Sequence, residues 1–308
     1  MGIGRSAVAL LYELKDEHPF HGSILELGKQ SLYVNGYELP KIANRFGHTI
    51  DISDITMDAN GEYLNNSYDD VVLFKKLGFN DISSLDISSY EGADYIHDLN
   101  TPIPESLKGK FDFIYDGGTM EHLFNIPQCL WNIHDLLKPG GLVMHCSPSH
   151  NNVDHGFYMF SPTLFWDYYT QNNYDIVRSQ IFEHRSEHSL QYKMDWTIYD
   201  YQPGCIESLA GKGWGRKKLG IWFVAKKHEE STRDIVPQQG KYLAIWENQI
   251  AFNPYQDRYD TISFKNVLRR ILYSVPGMKR LITAINGWAK ALHAEHWRQP
   301  RPPVVGRY

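Results

Sequence analysis

The chain has 308 residues, 42% of them hydrophobic and 22% charged, with a formal net charge of −5. That balance supports a sizeable core and excludes wholesale disorder and collagen-like repeats, and the acidic sign gives no bulk attraction for nucleic acid. Three widely spaced cysteines without a CxxC pair, a start that mixes apolar with charged residues, and no apolar run near the ~20 residues of a membrane span set the expectation of a reducing, cytoplasmic setting.

Short apolar runs closed by glycine or acid, and followed by helical spacing, are the signature of parallel βα units. Residues 24–28, Ile-Leu-Glu-Leu-Gly, form the first such run. Residues 71–79 read as a helix tail with Gly78 at its stop, leading into a second strand over 82–86. The gap between Gly28 and Asp86 is about twice the roughly 30 residues of a compact crossover, which predicts an insertion over 30–70. A short helix over 38–46 is expected in it, and the insertion reads either as a lid on the substrate side or as a decorative loop.

A third strand over 93–98 ends at Pro102 and Pro104, which forbid its continuation. The fourth, 111–116, runs into Gly117-Gly118. A helix over 120–137 follows, and Pro139-Gly140-Gly141 turns the chain into a fifth strand over 142–146. The region 147–200 is rich in aromatic residues and histidine, with a helix over 160–173 opened by Ser161-Pro162. Residues 221–226 read as a last strand and 229–240 as a linker. Residues 262–308 carry nine Lys/Arg against Glu295 alone, with Leu268, Ile271, Ile282 and Ile285 at helical spacing among them. That pattern suits a helix at an anionic membrane surface, one that docks a partner, or one packed on its own acidic domain.

Taken in order, these features resemble the core of a class I S-adenosylmethionine-dependent methyltransferase. The resemblance rests on Ile24-Leu25-Glu26-Leu27-Gly28, Leu85-Asp86, Asp98-Leu99, the fourth strand with Met120-Glu121-His122-Leu123, and Leu136-Leu137-Lys138-Pro139-Gly140-Gly141. It implies a doubly wound, mostly parallel seven-strand Rossmann-like sheet with helices on both faces over residues 1–230; the composition adds a linker and basic helical tail over 231–308. It departs from the family at Lys29-Gln30-Ser31-Leu32, where further glycines are usual. The same departure argues against a nicotinamide enzyme, whose pyrophosphate needs a GxGxxG cradle.

Ligands of open parallel sheets sit beyond the carboxyl ends of the strands, where Gly28, Asp86, Asp98 and Asp116 all fall. The cofactor set expected from the resemblance is Glu26, Gly28, Asp86, Asp98, Leu99, Asp116 and Gly117. Within it Asp86 accepts from the ribose hydroxyls, Asp98 from the adenine amino group, and the Leu99 main chain reads the ring edge. On the acceptor side the segment 148–158 holds His150, Asp154 and His155. Imidazole accepts a proton near neutrality, so His155 is the first candidate base, with Asp154 as its orienting acid and His150 as the substitute. His122 reads as part of the crevice wall, and His184 with His188 as solvent histidines. No metal site is expected, since His145, His150 and Asp154 show no recognised ligand spacing. Cys129 and Cys146 read as inert core thiols.

The expected activity is methyl transfer to a hydroxyl of a polar small molecule, of sugar or glycan type, by a cytoplasmic protein that the basic tail holds at the inner membrane face. The alternative is a non-catalytic cofactor-binding subunit that docks a partner enzyme or the membrane.

Overall fold

The computed structural model describes residues 2–64, 69–184, 195–206, 209, 213–240, 242–243 and 303–308. The basic segment as far as residue 302, and His188, lie outside the described residues. Among the described residues no helix is long and apolar enough to cross a membrane.

The chain divides into two units. One comprises Met1–Pro203, Arg216–Gln238 and Pro303–Tyr308, and the other Gly204–Gly215 and Gln239–Pro302. In the first, β1 (Gly2–Ile3) precedes α1 (Arg5–Glu17), β2 (Ser23–Leu27), β3 (Ser31–Leu32) and α2 (Glu38–Arg45). Next come α3 (Asp69–Leu77), β4 (Asp81–Asp86), β5 (Tyr95–Ile96), β6 (Phe111–Asp116), α4 (Ile126–Leu136) and β7 (Leu137–His150). The remainder is α5 (Pro162–Gln171), β8 (Asp175–His184), β9 (Thr197–Asp200), β10 (Lys218–Lys226) and β11 (Val304–Arg307).

Among the described residues nine strands form the main sheet, in the order β11-β9-β8-β10-β7-β6-β2-β4-β5. The sheet expected from the sequence was seven-stranded and mostly parallel; this one is mixed. The pairings from β5 to β7 are parallel, and those from β7 through β10, β8 and β9 to β11 are antiparallel. Val304 to Arg307, read from the sequence as part of the helical tail, supply the edge strand. Alternation along each strand divides the core into two layers. Ile24, Phe113, Tyr115, Met144 and Trp222 face α1 and α3, whereas Leu25, Leu27, Ile114, Val143, Ile221 and Phe223 face α4 and α5.

The helix expected over 120–137 begins later, at Ile126. Asn125 caps it by accepting from the Gln128 N–H, and proline occupies its first turn. Residues 120–122 form a separate 3₁₀ turn, and that turn carries Glu121 and His122 into the site described next.

Candidate active site

The five parallel strands are laid out, by chain order, as third, second, first, fourth, fifth, so the connections diverge between β2 and β6. In such sheets the ligand crevice opens at that switch point, beyond the carboxyl ends of the strands. Gly28 ends β2 with φ +70°, a conformation a Cβ would strain, and its N–H donates to Leu85 O at 2.8 Å. Where further glycines are usual, Gln30 closes the loop with its side chain. It is 3% exposed and its amide donates to Gly28 O (3.1 Å) and Leu27 O (3.3 Å). A Cβ at position 117 would fall 2.6 Å from Gln30 Oε1, so Gly117 packs against this plug. Lys29 pairs with the buried Asp70 at the start of α3.

Glu26 is fully buried, and its carboxyl is hydrogen-bonded to that of Asp70. Burial first, and then the Asp70 carboxylate, raise its pKa well above the ordinary range. The folded chain therefore holds a proton there that the unfolded chain releases, and stability falls as pH rises above the ordinary glutamate value. One such proton gives a slope of about 1.4 kcal/mol per pH unit. Urea unfolding of the ligand-free chain should show this decline, and Glu26→Gln should flatten it. An unchanged slope in the variant would assign the pH dependence to other groups.

Asp86 ends β4, half-buried, and accepts from the Ser88 N–H at 3.3 Å. Asp98, beyond β5, accepts from the Asn100 main-chain N–H at 2.9 Å and the Asn100 side-chain amide at 2.8 Å. Leu99 is buried, and its carbonyl accepts from the Asn132 amide at 3.0 Å. Asp116 has a different setting. It is fully buried, with Oδ1 accepting from the N–H groups of Thr119 (3.0 Å) and Met120 (3.2 Å). Its Oδ2 lies 2.8 Å from His145 Nδ1, and His145 Nε2 lies 2.7 Å from the Tyr169 hydroxyl. Its oxygens are thus engaged inside the protein, where they hold the 3₁₀ turn and a buried imidazole.

His150 is exposed at the end of β7, and Asp154 is exposed in the left-handed region with φ +67°. The acid beside His155 is Glu121: its Oε1 is 3.4 Å from His155 Nε2 and 4.0 Å from His122 Nε2. The two histidine rings meet edge to face at 5.1 Å. Glu121 is 1% exposed, and burial raises its pKa against the opposing effect of His155. Burial and His155 lower that of His122. Sequence reasoning placed Glu121 in a motif and His122 on the wall. Their convergence with His155 needs the loop after β7 to fold back, which Tyr158 secures by donating from its N–H to Glu121 O at 3.2 Å. Burial raises the thiols of Cys129 and Cys146, and the neighbouring Glu121 and Asp116 carboxylates raise that of Cys146 further.

Beyond β7 the sheet continues through antiparallel β10, β8, β9 and β11. The chain has a Rossmann-like mixed α/β fold.

No protein-family model matches the sequence, and no curated protein matches it. Among solved structures the chain is similar to a Burkholderia thailandensis 1,6-didemethyltoxoflavin-N1-methyltransferase bound to 1,6-didemethyltoxoflavin and S-adenosylhomocysteine. That match has 11% identity and a TM-score of 0.36, over 73% of this chain and 80% of the other. It is also similar to a putative methyltransferase from Bacillus halodurans, at 10% identity and TM-score 0.37 over 71% and 98% of the two chains. A third is an S-adenosylmethionine-dependent methyltransferase from Archaeoglobus fulgidus, at 12% identity and TM-score 0.36 over 71% and 94%. The fold assignment rests on the strand order, and a fold hosts many chemistries.

Proposed function

We propose that the chain is an S-adenosylmethionine-dependent methyltransferase acting on a hydroxyl of a polar small molecule of sugar or glycan type. The observation that carries this reading is the division of the crevice at its switch point. Glu26, Asp86 and Asp98 stand at the carboxyl ends of three neighbouring parallel strands, and Glu121, His122 and His155 gather beyond the strands on the other side. The acidic side fits the cofactor. Asp86 accepts the ribose hydroxyls and Asp98 the adenine amino group. With the Leu99 carbonyl engaged by Asn132, reading of the ring edge falls to the Leu99 N–H.

S-adenosylmethionine supplies a sulfonium methyl, whose C–S bond breaks as the acceptor oxygen's electron pair forms the C–O bond, leaving S-adenosylhomocysteine. The chain's own part is to hold the acceptor and remove its proton, and His155, half-exposed at the crevice mouth with Glu121 beside its ring, is placed to take it. Phe124 and Phe157, two residues beyond each histidine, are exposed and meet edge to face at 5.9 Å, an apolar wall suited to a sugar face or an aromatic ring.

Labelled cofactor incubated with sugar nucleotides and glycolipids should yield S-adenosylhomocysteine. Cofactor binding without turnover on any hydroxyl acceptor would favour a non-catalytic binding subunit. Asp86→Ala should weaken S-adenosylmethionine binding by about 1–3 kcal/mol, the scale of a lost charge-assisted hydrogen bond. Unchanged affinity by calorimetry in a folded variant would remove the ribose assignment.

A further inference from the structure

We propose that Glu121, His122 and His155 form a binding site for one divalent transition-metal ion, with open coordination positions toward the acceptor side of the crevice. Each residue offers one ligand atom, and the three atoms lie within 4.8 Å of one another. Zinc takes imidazole nitrogen at about 2.0–2.1 Å and carboxylate oxygen at about 2.0–2.2 Å, so donors sharing one ion stand roughly 3–3.5 Å apart. His155 Nε2 is already 3.4 Å from Glu121 Oε1, and His122 Nε2 is 4.0 Å from it. Small side-chain rotations close the set.

A second observation separates this site from a simple ion pair. Glu121 Oε2 is buried and, among the described residues, has no hydrogen-bond partner. A Glu121–His155 pair would use Oε1 alone and leave that oxygen's desolvation uncompensated. A cation bound by Glu121 and the two imidazoles would neutralise the buried charge that both carboxylate oxygens share. Neutral imidazole is the ligating form.

Two histidines and one carboxylate are the donor set of open catalytic sites, and imidazole selects zinc-like ions over magnesium or calcium. The exposed edge of the cluster, formed by His122 and His155, leaves room for an oxygen ligand from water or acceptor. The catalytic use of the ion rests on the methyltransferase reading above. With an ion bound, His155 would be a ligand rather than the base; the cation would lower the pKa of the acceptor hydroxyl, whose proton would pass to solvent water at the exposed edge of the cluster. The binding claim stands without that reading.

The test uses the full chain stripped with a chelator and titrated with Zn²⁺ by calorimetry and with Co²⁺ by visible absorption. One ion per chain is expected, with a cobalt d–d band. His122→Ala and His155→Ala should each weaken binding by at least about 100-fold, more than the loss of an outer-shell partner costs. Both side chains are more than a third exposed, so the variants should keep the parent's circular dichroism. His21→Ala, on an exposed loop before β2, should change nothing. Absence of stoichiometric binding overturns the proposal, as does binding that His21→Ala weakens as much as His122→Ala does. S-adenosylmethionine affinity measured on the stripped chain keeps the two readings apart. Cofactor binding without ion binding sinks the metal site alone, and ion binding without cofactor binding sinks the methyltransferase reading alone.

Discussion

Asp116→Ala is expected to lower the unfolding free energy by several kcal/mol, at about 1–3 kcal/mol for a buried donor left without an acceptor. The cost has two sources. Asp116 only accepts, so His145 Nδ1–H donates to it at 2.8 Å, and in the alanine variant that donor is stranded among fully buried residues. The Thr119 and Met120 N–H groups lose their acceptor as well, and Met120 is also fully buried. Burial raises Tyr169 well above the ordinary phenol range, so its hydroxyl keeps its proton and can still donate to His145 Nε2. That leaves one side of the imidazole held and the other free. Asp116→Asn retains a carbonyl for the two main-chain donors and should cost less than Asp116→Ala. Equal losses in the two variants would show that the main-chain contacts contribute nothing. Because these contacts hold the 3₁₀ turn that carries Glu121 and His122, Asp116 is a positioning residue. The asparagine variant, if it folds, should bind cofactor while losing part of its turnover.

The parallel half of the sheet was legible because each strand is a run whose apolar residues face two helical layers. Ile24 and Leu25, and likewise Phe113 and Ile114, point to opposite cores, so their sequence stays apolar without alternation. Of the antiparallel extension only β10 was legible, as the apolar run 221–226; β8, β9 and β11 were not. Asp175 to His184 mixes charged and apolar residues because much of the strand is only half-buried, and β9 pairs with residues about a hundred positions later, a contact no local pattern records. In the site, the acids at strand ends were readable from position alone. Asp116 showed the limit of that logic, since only its neighbours His145 and Tyr169 reveal that it faces inward. Gln30 was visible as a departure from a glycine loop. Its role as a side-chain plug against Gly117 needed coordinates. Glu121 was visible in its motif, but its partner lies beyond the next strand.

His155→Ala should lower turnover by about 10²–10⁴-fold while leaving S-adenosylmethionine affinity nearly intact. The separation follows from the geometry, because His155 belongs to the loop after β7, on the opposite side of the switch point from Glu26, Asp86 and Asp98. Its side chain is 49% exposed, and the contact with Glu121 is long at 3.4 Å, so its contribution to stability is of the small size seen for exposed pairs. A large kinetic loss in a stable variant is therefore a loss of chemistry. Glu121→Gln keeps the shape but removes the charge that faces both imidazoles, and should also cost turnover. If His155 and Glu121 act as a unit, as general base and its orienting acid or as ligands of one ion, the double variant should lose little more than the worse single variant. Additive losses would mean separate roles. Wild-type turnover in His155→Ala would move the proton transfer to His150, at the exposed end of β7, or remove base catalysis at this face of the crevice.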